Sequence, residues 1–237
     1  MTKVEDIWVY LAASPLFGLV LTLVFFQIAQ AIYRRFNHHP LLNPVALSVL
    51  GIIGVLALFD INYETYFEGA QFIHFLLGPA TVALAIPLYQ YRETLKSLWF
   101  PIVMAASFGL VAAGLTAFWI AQSLGASIET MLSLVPKSVT APVAMGIAEK
   151  NGGVATLTAA FVVITGILGA MMATEVFKLM RLKDDRVKGV AMGVSAHGLG
   201  TAKAFQLSDQ MGAFSGLAMA LSAFIAALIL PWVMGAL

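Results

Sequence analysis

Cysteine is absent from the 237 residues, which excludes disulfides, thiolate nucleophiles and zinc–thiolate centres. Charge is scarce: 11% of the residues are Asp, Glu, Lys or Arg, against about a quarter in a soluble domain. No basic run or tail suits nucleic acid. A phosphate-binding loop is also missing. Gly193-x-x-x-x-Gly198 has its first spacing, but Leu199 and Gly200 stand where Lys and Ser/Thr are required. His38 and His39 are adjacent with no further ligand close in sequence, so no metal site and no cofactor are expected. The polar stretches hold no pair of carboxylates and no Ser–His spacing of a catalytic kind, so an enzyme is not expected.

What remains is apolar. Hydrophobic residues make up 60% of the chain and the mean hydropathy is +0.91, the composition of an integral membrane protein. A spanning helix needs about 20 mainly apolar residues. Residues 7–32, 41–59, 72–89, 98–124, 154–177 and 213–233 supply such runs, and residues 60–71 read as a polar connection. The expected fold is an all-α polytopic helix bundle in one transmembrane domain, residues 1–237, with about 6–8 membrane segments. The start Met-Thr-Lys, then Glu5 and Asp6, lacks the basic opening and cleavage site of a signal peptide, so the first run is expected to remain as a span.

Two segments do not fit a plain span. Residues 127–150 contain Pro136-Lys137-Ser138-Val-Thr140-Ala-Pro142, whose two prolines remove helical hydrogen bonds. Residues 189–208 contain Gly193-Val-Ser-Ala-His197-Gly198-Leu-Gly200-Thr201-Ala-Lys203. Irregular backbone is tolerated at membrane depth only where protein or a water-filled cavity surrounds it.

Cytoplasmic loops are enriched in Lys and Arg. Arg34, Arg35, Arg92, Lys96 and the group Lys178, Arg181, Lys183, Arg186 and Lys188 are therefore expected inside, and the N-terminus outside. That group stays inside if residues 127–150 dip in and return. A broken helix that crosses fully is the alternative. Two broken or re-entrant segments approaching from opposite faces is a transporter arrangement. A weak echo between Leu42-Asn43-Pro44-Val-Ala-Leu and Thr140-Ala-Pro142-Val-Ala-Met fits an inverted repeat.

The candidate binding groups follow from chemistry. Lys137, Lys203 and His197 supply positive charge, and intramembrane ionisable groups mark solute or proton paths. Ser138, Thr140 and Thr201 supply hydroxyl donors. Gly198 and Gly200 let backbone N–H groups approach an anion. Thr81, after Gly78-Pro79, and Asn43 are secondary candidates. The plainer readings are loop lysines and a histidine in water, or a simple kink at Gly78-Pro79. A cationic site points to a small anionic solute such as a carboxylate.

Three motifs in order, Leu77-Gly-Pro-Ala-Thr81-Val-Ala-Leu-Ala-Ile-Pro87-Leu-Tyr89, Pro136-Lys-Ser-Val-Thr-Ala-Pro142 and Gly193-x-x-x-His197-x-x-Gly200-Thr-Ala, resemble the signatures of the LrgB/CidB family of bacterial membrane proteins. Ala141 stands where other members often carry threonine. The resemblance implies a multi-pass protein of the bacterial inner (cytoplasmic) membrane beside a small LrgA/CidA-type membrane partner. It implies one of two roles. The first is antiholin-like regulation of murein hydrolase activity and autolysis. The second is transport of glycolate, glycerate or pyruvate, as in a plastid relative that resembles the two proteins fused. The residues agree better with transport than with a lytic pore, and with the substrates that the resemblance implies the expected role is a transporter or facilitator for small monocarboxylates. A homo-oligomer in the lipid bilayer, with no nucleic acid partner, is expected.

Overall fold

The computed structural model describes residues 16–37, 39, 42–76, 79 and 85–237. They form helices joined by turns and short irregular links, with no strand among the described residues. The chain divides into two compact units, residues 1–83 and 84–237.

The first unit holds α1 (Phe17–Arg35), α2 (Pro44–Leu58) and α3 (Tyr63–Phe75). Residues 60–71, expected as a polar connection, are largely helix instead. The reason is a packed face. Gly18 on α1 lets the α3 backbone approach, since a Cβ there would overlap the Tyr66 carbonyl. The Tyr66 hydroxyl meets Thr22 Oγ1 at 2.7 Å. Polar residues on the other face of α3 hid this helix from a reading by hydropathy.

The second unit holds α4 (Ala85–Gln90), α5 (Arg92–Ser97), α6 (Trp99–Ser123), α7 (Ile128–Leu134), α8 (Ala141–Lys150), α9 (Ala155–Leu179), α10 (Asp185–Leu207) and α11 (Asp209–Gly235). Among the described residues, α1, α6, α9 and α11 are the helices long and apolar enough to cross a membrane; α2 is apolar but shorter. Leu110, Phe118, Val135, Val139, Val162, Val194 and Leu230 belong to one buried cluster drawn from α6, α9, α10, α11 and the α7–α8 turn.

Helices α7 and α8 fold back on each other. Residues 152–154, which follow α8, return beside Leu132 and Ser133 of α7. Ser133 Oγ, fully buried, donates to the Glu129 carbonyl at 2.6 Å and accepts the Val154 N–H at 2.8 Å. Thr158 Oγ1 donates to the Ser133 carbonyl at 3.1 Å. Ser133→Ala would leave the Val154 N–H without its acceptor. It is expected to destabilise the protein by about 1–3 kcal/mol, the usual cost of an orphaned buried donor, read as a lower Tm in detergent.

Helix α10 also folds back. Its backbone is non-helical at His197, with φ 40° and ψ −133°. A straight helix would set Asp185 and Ser208 about 34 Å apart, yet Ser208 Oγ donates to Asp185 Oδ2 at 2.9 Å. Likewise, a Cβ on Gly200 would stand 3.0 Å from the Met192 carbonyl, eight residues earlier. Both ends of α10 therefore lie at one end of the unit, and His197 is the tip. The two arms are about 18 and about 15 Å long, roughly half a hydrocarbon core.

The near end of α10 is held by charge. Asp184 caps the helix through the Arg186 N–H at 2.9 Å and grips the Arg186 guanidinium at 2.5 Å. These bonds hold its carboxyl down to about 2. Its folded pKa is thus below the unfolded one. The contribution is complete above about pH 4, the ordinary range of a free Asp, and is lost as pH falls through about 2.

Candidate functional site

Each fold-back brings its polar tip to the middle of a long helix. Val135 packs on Gly114, where a Cβ would meet its carbonyl at 3.2 Å. Two residues on, Lys137 Nζ donates to the Ala113 carbonyl at 3.5 Å. Ala113 lies fourteen residues after Trp99 and ten before Ser123, the ends of α6. Ser138 is 1% exposed, and its hydroxyl has no hydrogen-bond partner among the described residues. Thr140 is the N-cap of α8. Its carbonyl accepts the Ala144 N–H at 2.9 Å, while its side chain makes no capping bond. Pro142 follows in the first turn, where its missing N–H costs nothing.

On the other tip, buried His197 places Nε2 2.9 Å from the Val162 carbonyl of α9. Gly166, eleven residues after Ala155 and thirteen before Leu179, makes room for it. A Cβ at Gly166 would stand 2.6 Å from His197 Cε1. A left-handed φ at a non-glycine residue costs about 1–3 kcal/mol and persists only when its surroundings enforce it; here the ring contact does so. Thr201 Oγ1 bonds the His197 carbonyl and Ser215 Oγ, both at 2.9 Å. Gly200 is buried against Ala196 Cβ, a packing role, whereas Gly198 is exposed. Lys203 is half-buried in the returning arm.

His197, Thr201 and Ser215 are thus joined. Lys137, Ser138 and Thr140 form the second tip, and Val139 and Val194 put both tips against the same apolar cluster. The secondary candidates fare differently. Asn43 belongs to the first unit and caps α2, its Oδ1 accepting the Val45 and Ala46 N–H groups at 2.9 and 3.2 Å. Thr81 lies outside the described residues.

Sequence reasoning passed over Ser215 and Ser222. They stand seven residues apart on one face of the apolar α11, and that spacing was the available signal. Ser215 is bonded to Thr201, and the buried Ser222 hydroxyl has no partner among the described residues. The carbonyls of Ala113 and Val162 carry no signal at all, because backbone acceptors are anonymous in sequence.

Residues 22–236 match the model of the LrgB-like family. The chain is 36% identical to the uncharacterized protein YwbG of Bacillus subtilis, over 92% of this chain and 96% of that protein. It is 32% identical to the holin-like protein CidB of Staphylococcus aureus, over 92% of this chain and 95% of that protein. The uncharacterized protein YxaC of Bacillus subtilis is 34% identical over 91% of this chain and 93% of its own length. No solved structure matches this chain.

Proposed function

The chain belongs to the LrgB-like family, and on that premise we propose that it is a transporter or facilitator for small monocarboxylates of the glycolate, glycerate or pyruvate type. One observation carries the reading: Lys137 and His197 sit at the tips of two fold-backs, each against the middle of a helix long enough to cross a bilayer. The ends of the α10 fold-back lie with the basic residues at 178–188. The ends of the α7–α8 fold-back lie at the opposite ends of α6 and α9. Two re-entrant segments entering from opposite faces of a bacterial inner membrane, basic ends inside and N-terminus outside, account for this. Lys137, His197 and Lys203 then supply charge to the anion. Ser138 and Thr140 donate hydrogen bonds, Thr201 holds the His197 carbonyl in place, and Gly198 leaves backbone open at the His197 tip.

Proteoliposomes loaded by counterflow with labelled glycolate and pyruvate test this. Saturable uptake is expected from the parent protein. Unchanged flux in both Lys137→Ala and His197→Ala would remove the assigned site.

The name of the Staphylococcus relative favours a second reading, a holin-like regulator, which we propose would work with a small LrgA/CidA-type membrane protein. Release of an entrapped dye from vesicles, without any saturable solute flux, would favour that role over transport.

A further inference from the structure

A groove of about 570 Å³ runs between α6 and α10. One wall is Pro101, Ala105, Gly109 and Ala113, four residues apart along a single face of α6. The other is Val187, Val190, Ala191 and Val194 from the first arm of α10. Apart from Ser195, whose hydroxyl is spent on the Ala191 carbonyl at 2.6 Å, the length of the groove is apolar. Asp184 and Arg186 stand at one end only, where α6 begins and the Asp184–Arg186 pair is more than a third exposed.

That end is the headgroup level. Trp99 and Phe100 are exposed there, edge to face at 5.7 Å, and such aromatics mark the membrane–water boundary. Leu95 of α5 packs with Ile102 and Phe214 under the same mouth, with Val190 against them. Residues 92–96 and 183–188 carry five basic and three acidic side chains, a surplus of positive charge. From Leu98 to Ala113 the groove follows α6 for about 22 Å, close to one leaflet with its headgroup layer.

We propose that this groove holds one acyl chain of an anionic phospholipid, with the headgroup phosphate at Arg186. Size decides against a protein helix seated in it. A helix about 10 Å across would need roughly half again the groove's whole empty space of about 1170 Å³ over that length. The groove falls instead among small-molecule sites, which span about 300–1,000 Å³. Charge decides the headgroup: Asp184 takes the Nε and one Nη2 hydrogen of Arg186, and the remaining Nη1–Nη2 edge of the guanidinium takes phosphate oxygens in a bidentate grip. The inference needs the protein to lie in a bilayer but not to transport carboxylates.

Native mass spectrometry of the full chain, titrated with phosphatidylglycerol or with phosphatidylcholine of the same acyl chains, tests it. The parent is expected to retain one phosphatidylglycerol per chain in preference to phosphatidylcholine. Ala105→Phe and Ala191→Phe fill the groove from opposite walls, and each is expected to weaken that retention at least about tenfold. Arg186→Gln is expected to keep the lipid but lose the headgroup preference. Equal retention of both lipids by the parent would overturn the proposal, as would undiminished retention in the folded filled variants. So would a dimer of the parent that carries no lipid and dissociates in the filled variants, since a second copy would then cover the groove. Because the readout is lipid mass, it stands whether or not carboxylate flux is found.

Discussion

Gly193→Val is expected to cost the protein about 3 kcal/mol or more, at the upper end for overpacking. A Cβ at Gly193 would overlap the Ser215 carbonyl, and it would lie 2.9 Å from both the Ala218 Cβ and the Met219 amide nitrogen. Two of those atoms are backbone of α11, which no side-chain rotation can clear. Gly189, one turn earlier, makes the same kind of approach to the Met211 carbonyl. The two glycines therefore set how closely the first arm of α10 lies on α11. Small residues let helix backbones approach in this way. Valine at 193 must push that arm aside, along with the His197 tip that follows it. Thermal unfolding in detergent should show a large drop in Tm or loss of a cooperative transition. Gly146→Ala is the control: a Cβ there meets nothing within 4 Å, and alanine in a helix gains about 0.5–1 kcal/mol over glycine. If the Gly193→Val protein melted with the parent, the close approach of α10 to α11 would be wrong.

Lys137→Ala is expected to lower monocarboxylate flux, as kcat/KM, by roughly 10- to 100-fold, the value of one charged hydrogen bond of about 1.5–3 kcal/mol. The ammonium has three donors, and its bond to the Ala113 carbonyl is long at 3.5 Å. A long bond to a neutral acceptor gives way readily to a carboxylate. Stability should move the other way or not at all, because alanine removes a half-buried charge from the apolar cluster around Val135 and Val139. The combination of lost flux with an unchanged or higher Tm separates a binding role from a structural one. Lost flux with a matching loss of folded protein would make Lys137 a packing residue instead.

The helical class and the long runs were legible because lipid-facing helices need apolar residues along their whole length. Residues 98–124 and 154–177 coincide with α6 and α9 to within two residues at each end. Helix α3 was not legible. Its stability comes from Gly18, Thr22 and Tyr66 meeting across two helices, and periodicity within one segment does not record such a contact. The unusual character of residues 193–203 could be read from three glycines, two hydroxyls, a histidine and a lysine in an almost uncharged stretch. That Asp185 and Ser208 would touch could not.

The amino-acid order alone determined that this is a helical membrane chain, where α6, α9 and most of α11 fall, and that its rare polar groups gather at Pro136–Pro142 and Gly193–Lys203. Those facts are local, set by the transfer energy of each side chain. The run at residues 72–89, expected as one span, instead holds the end of α3 and, from Ala85, the short α4. Only the tertiary structure decided that α10 doubles back at His197, that Val162 and Gly166 receive the imidazole, and that Lys137 reaches the middle of α6. Those outcomes depend on carbonyls and on glycine clearances between segments far apart in sequence. Such groups are present in every residue or in twenty glycines alike, so their roles are fixed only when the helices pack.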